Sequence, residues 1–149
     1  MEIKRYEDLY FDSFLECFLL FGKNRGHNIN DNKNLIIENV KNKLLSNNYL
    51  YLGLIDGIVV GFLWAEVIEQ NNLFSKNIKK ILISYLYVIE KEVGKGYSTK
   101  LKDALFNDVK LEGKIKKISL NVKIENKTAF NIYKKWGFKE KKYYMDLDL

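Results

Sequence analysis

Gly94 and Gly96 stand two apart, with Lys95 between them and Ser98 and Thr99 just after, in the stretch EVGKGYSTKL (92–101). The apolar run ILISYLYV (81–88) precedes the glycines, and a helical pattern follows them. Glycines let backbone N–H groups approach a ligand and converge on one point, and a helix starting there adds the positive end of its dipole. The chemistry such a turn can do is anion binding, with phosphate oxygens as natural ligands. Ser98 and Thr99 bring hydroxyls that suit either an anion or a helix cap. Lys95 and Lys100 bring charge, as ordinary surface lysines also would. On these residues alone, a plain strand-to-helix turn and a phosphate cradle both stand. Two nucleotide motifs fail on spacing. A dinucleotide fingerprint needs a third glycine where Thr99 stands, and a nucleoside-triphosphate loop needs a Gly-Lys-Ser/Thr ending that VGKGYST lacks.

A second constellation lies in NVKIENKTAFNIYKKWGF (121–138), where Asn126, Ala129, Tyr133, Gly137 and Phe138 are spaced Asn-x-x-Ala-x-x-x-Tyr-x-x-x-Gly-Phe. Read alone, Asn126 starts a helix, Tyr133 is an aromatic at helical spacing with Phe130 and Trp136 nearby, and Gly137 ends the helix. Glu66 and Glu69, near the end of GFLWAEVIEQ (61–70), are carboxylates at a strand end. His27 is the only histidine, and Cys17, the only cysteine, sits in an apolar helix. No carboxylate–histidine grouping points to a metal, and a single cysteine excludes an internal disulfide.

The elements that must position these residues follow from periodicity. EIKRY (2–6) reads as a short strand. Leu9, Phe11, Phe14, Leu15, Phe18 and Leu19 give a helical stripe from Asp8 to Phe21. GKNRGHNINDNKN (22–34) reads as a polar loop, and Asp31 or Asn32 as the cap of a second helix through Ser46, with Leu35, Ile36, Val40 and Leu44 facing inward. Asp56-Gly57 between two apolar runs marks a hairpin. Residues 79–90 form a long strand, apolar on both faces and therefore covered on both. Ser98–Glu112 forms a helix with Leu101, Leu105 and Val109 inward. KKISLNVKI (116–124) reads as a buried strand, Thr128–Lys135 as a short helix, and KKYYMDLDL (141–149) as a last strand. The strand–helix–strand unit around Ser98–Glu112 implies two neighbouring parallel strands, and the hairpin makes the rest antiparallel. The expectation is one α/β domain over residues 1–149, a mixed sheet with helices on both faces.

Composition bounds the partners. The chain has 149 residues, enough for a core, and no apolar run nears the roughly 20 residues that span a bilayer. Its N-terminus is too charged for a secretory signal, which with the lone cysteine suits the cytoplasm. Residues 1–74 carry 7 Lys and Arg against 10 Asp and Glu, net −3; residues 75–149 carry 18 against 9, net +9. The lysines are scattered among acids, without the continuous stripe that marks a nucleic-acid binder. Trp64, Leu73 and Phe74 are candidates to face an acceptor or a partner such as a second copy of the chain.

The glycine turn and the Asn126–Phe138 pattern about thirty residues downstream together resemble the GNAT superfamily of N-acetyltransferases, and the order of strands and helices is similar over essentially the whole chain. The resemblance implies a mostly antiparallel central sheet whose two central parallel strands splay apart, with acetyl-CoA lying in the gap. It implies acetyl transfer from acetyl-CoA to an amine, without a metal. The pyrophosphate would lie on the loop Val93, Gly94, Lys95, Gly96, Ser98, Thr99. Within the family's Arg/Gln-x-x-Gly-x-Gly/Ala pattern, Gly96 fits, Ser98 is a small change, and Val93 lacks the usual long polar side chain. Backbone groups of Leu86 and Val88 would bond the pantetheine arm, and Asn126 would contact the cofactor or a structural neighbour. Tyr133 matches the tyrosine that protonates the departing thiolate. Many relatives carry a glutamate base on a central strand; where some place it, this chain has Asn121, which leaves Glu66 as the nearest candidate, with Glu69 beside it and Tyr85 and Tyr87 as relay groups. Val93 and the missing strand glutamate also motivate a second reading, a GNAT-fold acyl-CoA-binding or regulatory module without turnover.

Overall fold

The computed structural model describes residues 1–46 and 48–149. Its elements are β1 (Glu2–Arg5), α1 (Phe11–Asn24, preceded by a single 3-10 turn at Asp8–Tyr10), α2 (Ile29–Leu44), β2 (Asn48–Ile55), β3 (Ile58–Gln70), β4 (Ile78–Val88), α3 (Tyr97–Glu112), β5 (Ile118–Leu120) and α4 (Lys127–Lys135). The strands form one sheet in the order β1-β2-β3-β4-β5, antiparallel except for the parallel pair β4–β5.

Local chemistry explains most of the boundaries. Asp56 (φ 51°) and Gly57 (φ 77°) both take left-handed backbone, which makes the β2–β3 connection the two-residue turn whose twist suits a hairpin. Asn28 caps α2 by accepting from the Asp31 amide at 3.2 Å, so the cap lies three residues before the expected Asp31. The loop between α1 and α2 is correspondingly short. On α2 only Val40 is buried, with Ile36 and Leu44 packed against the core; Leu35, expected inward, is 56 % exposed because it lies a third of a turn away from the Ile36–Val40–Leu44 row.

Two apolar clusters sandwich the sheet. On one face α1 and α2 cover Leu50, Leu52, Phe62 and Trp64 through Phe14, Cys17, Phe21 and Val40. On the other, α3 covers Tyr49, Tyr51, Leu63, Ile81 and Ile83 through Leu101, Leu105 and Val109. The long strand is indeed covered on both sides. Trp64 is wholly buried between Phe14, Phe18 and Tyr85, so it faces neither an acceptor nor a partner.

The expected last strand is absent. Residues 138–149 carry no strand, and the apolar side chains from Tyr143 onward are exposed. The preceding strand shrinks with it: β5 has three residues, each half-buried rather than buried. A strand needs a neighbour to satisfy its backbone groups, and β5 has β4 alone.

Candidate active site

The site begins with one extra residue. Along the β3–β4 ladder, Ala65 faces Ile83 and Trp64 faces Tyr85, so Ser84 is a bulge with no residue opposite it. The bulge reverses side-chain parity. Ile81 and Ile83 before it and Leu86 and Val88 after it all point toward α3, whereas Tyr85 and Tyr87 point toward α1. It also reverses which backbone groups face which neighbour. The Ile89 amide donates to the Val60 carbonyl at 2.9 Å; by alternation Tyr87 and Tyr85 bond β3, and the N–H and C=O of Leu86 and Val88 face the other way.

What they face is a gap. β5 pairs with β4 only from Ile81 to Ile83, so from Ser84 onward β4 is bonded on its β3 side alone. The strands splay at the bulge, and the free backbone groups beyond it belong to Leu86 and Val88.

At the open end of the gap the chain passes through Val93–Gly96 into α3. Gly94 (φ 86°) and Gly96 (φ 78°) are left-handed, with open space where a Cβ would stand. Gly96 is the N-cap of α3 and no side chain caps the helix. The first amides of α3, from Tyr97, Ser98 and Thr99, therefore have no intrahelical partner; the Ser98 and Thr99 hydroxyls do not serve as the cap. Lys95 is bound to Glu92 at 2.7 Å, an exposed contact that raises the lysine's pKa, chiefly through the hydrogen bond. Its charge is thus already met by a carboxylate. Val93 is 64 % exposed.

Tyr133 is fixed from its own helix end. The Phe138 amide donates to the Tyr133 carbonyl at 3.0 Å and the Gly137 amide to that of Lys134 at 3.1 Å, with Gly137 at φ 96°. These paired bonds form a Schellman motif, whose usual apolar contact here joins the Phe138 and Tyr133 rings, 6.1 Å apart. The spacing Tyr-x-x-x-Gly-Phe is thus a helix stop that also immobilises the tyrosine, with Trp136 at 5.6 Å on another side. Burial raises the Tyr133 hydroxyl's pKa, while the Arg25 guanidinium at the end of α1 pulls it down. Asn126 caps the start of the same helix, its side-chain oxygen accepting from the Ala129 amide at 3.2 Å.

Glu66 points to the α1–α2 side, beside the bulge. The Lys43 ammonium meets one carboxylate oxygen at 3.1 Å and the Ser84 hydroxyl donates to the other at 3.3 Å. Lys43 also lies over Trp64 and Tyr85. No contact joins Glu66 to Tyr133 among the described residues. Glu69 is exposed at the strand end. The Tyr87 hydroxyl accepts from the Asn24 side chain at 2.9 Å, and burial raises its pKa. His27 lies exposed in the α1–α2 loop. Burial pushes the Cys17 thiol up to about 12, which makes it a poor nucleophile. Among the described residues no three His, Cys, Asp or Glu side chains cluster as metal ligands, and no helix is long and apolar enough to cross a membrane.

Sequence reasoning missed Lys43 and Ser84. Lys43 carried a signal, since it stands on the inward row of α2 with Ile36, Val40 and Leu44. Ser84 carried none, because an apolar run on both faces hides a change of parity.

A mixed sheet that splays beside a bulge, with an uncapped helix N-terminus at the mouth of the splay, defines an acyl-CoA N-acyltransferase fold. Residues 7–138 match the acetyltransferase (GNAT) family, and the chain belongs to that family. Solved structures agree in fold. A mutant protein from Bacillus halodurans is 15 % identical, with 100 % of this chain and 99 % of that one covered at a TM-score of 0.80. The aminoglycoside antibiotic 6'-N-acetyltransferase AAC(6')-IG from Acinetobacter haemolyticus is also 15 % identical, covering 100 % and 99 %, with a TM-score of 0.72. AAC(6')-Iy, solved with a bisubstrate analogue joining CoA to acetylneamine, is 13 % identical, covering 99 % and 97 %, with a TM-score of 0.74. No curated protein matches the chain.

Proposed function

We propose that this chain is, as a single domain, an N-acetyltransferase that moves the acetyl group of acetyl-CoA to a primary amine by direct attack on the thioester. The observation that carries this reading is the gap beyond Ser84, with the free Leu86 and Val88 backbones along one wall and the uncapped α3 amides at its mouth. A pantetheine arm is an amide chain that needs backbone partners of that kind, and a pyrophosphate suits the amides of Gly94–Thr99. Those amides carry the binding without a long side chain at Val93, and Asn126 supports the site by holding α4.

In the reaction the amine nitrogen forms a bond to the thioester carbon, the C–S bond breaks, and the thiolate leaves. Tyr133 suits the general acid: a phenol carries its proton at neutral pH, burial holds it more firmly, and the proton passes to the departing sulfur. A backbone N–H of the β4 edge turned to the carbonyl oxygen stabilises the developing charge by roughly 3–4 kcal/mol, the size of one oxyanion donor. The ammonium of the acceptor gives up its proton to Glu66, on the α1–α2 side, once the acceptor displaces Ser84 from the carboxylate.

The test is release of free CoA from acetyl-CoA across a panel of aminoglycosides, other small amines and peptides, with Tyr133→Phe as control. Acetylation of any member that is lost in the control supports the reading; no acetylation of any member overturns it. The exposed Val93 in the loop favours a second reading, an acyl-CoA-binding module without turnover, which predicts thermal stabilisation by acetyl-CoA that Tyr133→Phe leaves unchanged.

A further inference from the structure

We propose that the end of the sheet opposite the splayed gap is a seat for an anionic lipid surface, with Leu73 and Phe74 entering the acyl boundary and the lysines around them meeting the headgroups. Leu73 is 100 % exposed and Phe74 98 %, adjacent in the loop between β3 and β4. Leu45 and Leu111, just past α2 and near the end of α3, leave further apolar surface at the same end. The loop meets some of its own backbone needs. The Asn72 side chain accepts from the Phe74 amide at 2.8 Å, and the Asn77 side chain from the Asn72 amide at 3.3 Å. A tip whose amides are already bonded enters a poorly hydrated layer at less cost than one whose amides still need water.

Charge at this end has one sign. Residues 70–80 carry three lysines and no acid, and residues 113–124 carry four lysines and no acid. The register brings the two segments together: the Ile81 amide donates to the Lys117 carbonyl at 3.0 Å, so Lys116 and Lys117 stand beside Lys79 and Lys80. Among the described residues none of these four lysines, nor Lys76, forms an ion pair. Of the nearby acids, Glu112 is held by the Tyr49 hydroxyl, and Glu69 faces Lys79 across the ladder. A nucleic-acid backbone would satisfy the lysines and leave Leu73 and Phe74 in water. An anionic lipid surface takes both, since lysines gather at its headgroups and apolar side chains settle at the acyl boundary. The gap and the Val93–Gly96 turn lie at the other end of β4, clear of such a surface. None of this rests on the acetyl-transfer reading.

Sedimentation of the full chain with vesicles tests it, and no acetyl-CoA is needed. Vesicles of mixed phosphatidylcholine and phosphatidylglycerol are expected to carry the protein down at low salt and to release it as salt is raised. Phosphatidylcholine alone is expected to leave it in solution. Leu73→Asn combined with Phe74→Ser changes two exposed side chains, so Tm should hold while binding to the mixed vesicles drops ~10-fold or more, as two apolar side chains no longer bury. Lys116→Glu combined with Lys117→Glu should weaken binding and flatten its salt dependence. In Phe74→Trp, brominated acyl chains should quench the added indole beyond any quenching of Trp64 and Trp136 in the parent chain. A chain that stays in solution with the mixed vesicles overturns the inference. So does vesicle binding that the Leu73–Phe74 double variant leaves unchanged, an added indole that brominated chains do not quench, or tighter binding to duplex DNA than to the mixed vesicles.

Discussion

Gly61 lies on β3 opposite Val88, where β4 has lost its other neighbour. A Cβ at this position would stand 2.8 Å from the Tyr87 carbonyl oxygen, 3.2 Å from a Val88 methyl and 3.3 Å from the Val88 Cα. Carbon and carbonyl oxygen settle at about 3.3 Å or more, so Gly61→Ala must move one backbone against another by ~0.5 Å. On the β3 side the sheet is packed against β2. On the far side of β4 there is only the gap, so β4 yields toward it and carries the Leu86 and Val88 amides along. The stability cost falls in the overpacking range of ~1–3 kcal/mol, or roughly 2–10 °C in Tm for a chain of this size. The functional cost is larger, because displacements on the order of 1 Å at a reacting centre cost about 10²-fold. Gly53→Ala is the control. Its Cβ would meet the Met1 sulfur at 2.6 Å, a closer approach, but to the end of a flexible side chain that swings away. Differential scanning fluorimetry with and without acetyl-CoA, followed by the CoA-release rate, separates the two variants. Gly61→Ala should lose most of the stabilisation by acetyl-CoA, and Gly53→Ala should keep it. A Gly61→Ala protein with parental response to acetyl-CoA would refute the assignment of the gap as the donor site.

Tyr133→Phe keeps the ring packed between Trp136 and Phe138, so Tm should barely move while turnover at saturating acetyl-CoA drops ~10²–10⁴-fold; a drop below threefold in a stopped thiol assay would remove Tyr133 from the chemistry. Gly96→Ala meets no atom within 4 Å but must hold φ near 78°, a strain of ~1–2 kcal/mol. The loop relaxes when free, and calorimetry should show acetyl-CoA affinity reduced roughly 5–30-fold, following the usual conversion of energy to affinity. The raised thiol of Cys17, from 9.0 to about 12, keeps its proton longer in the folded chain than in the unfolded one. Stability from this source is complete below pH 9 and is lost as pH climbs toward 12, with a slope of at most ~1.4 kcal/mol per pH unit. Urea midpoints measured at rising pH should fall in that window, and less steeply in Cys17→Ala; an unchanged slope would discount the thiol.

What could be read from the sequence was what is encoded within a few residues. Asp56-Gly57 specifies its turn because both positions need left-handed backbone, and Gly137-Phe138 specifies the end of α4 because one glycine and one aromatic complete a local motif. The glycine turn before α3 was legible for the same reason, since Gly94 and Gly96 both take left-handed backbone. Leu35 misled because it stands between two rows of a helix, and only the packed structure decides which row is inward. Glu66 was found as a carboxylate near a strand end, but its partners Lys43 and Ser84 come from α2 and β4, brought together by tertiary folding. KKYYMDLDL has the alternation of a strand, yet alternation shows only that a segment suits a sheet, not that its own chain supplies the neighbouring strand.

The bulge gives β4 one residue more than its ladder with β3 uses. Deleting Ser84 would let Tyr85 follow Ile83 in plain alternation, so Tyr85 and Tyr87 would still point at α1 and the backbone groups of Leu86 and Val88 would still face away from β3. The deletion would remove the bend that a bulge gives its strand and the hydroxyl that meets Glu66. Keeping Ser84 but pairing it with Trp64 is the damaging change. Each residue after it would then turn through half a rotation, with Tyr85 and Tyr87 toward α3 and the amides of Leu86 and Val88 bonded to β3. The opening beside β4 therefore depends on Ser84 staying out of the ladder, a matter of alignment between two strands more than of the side chains along either.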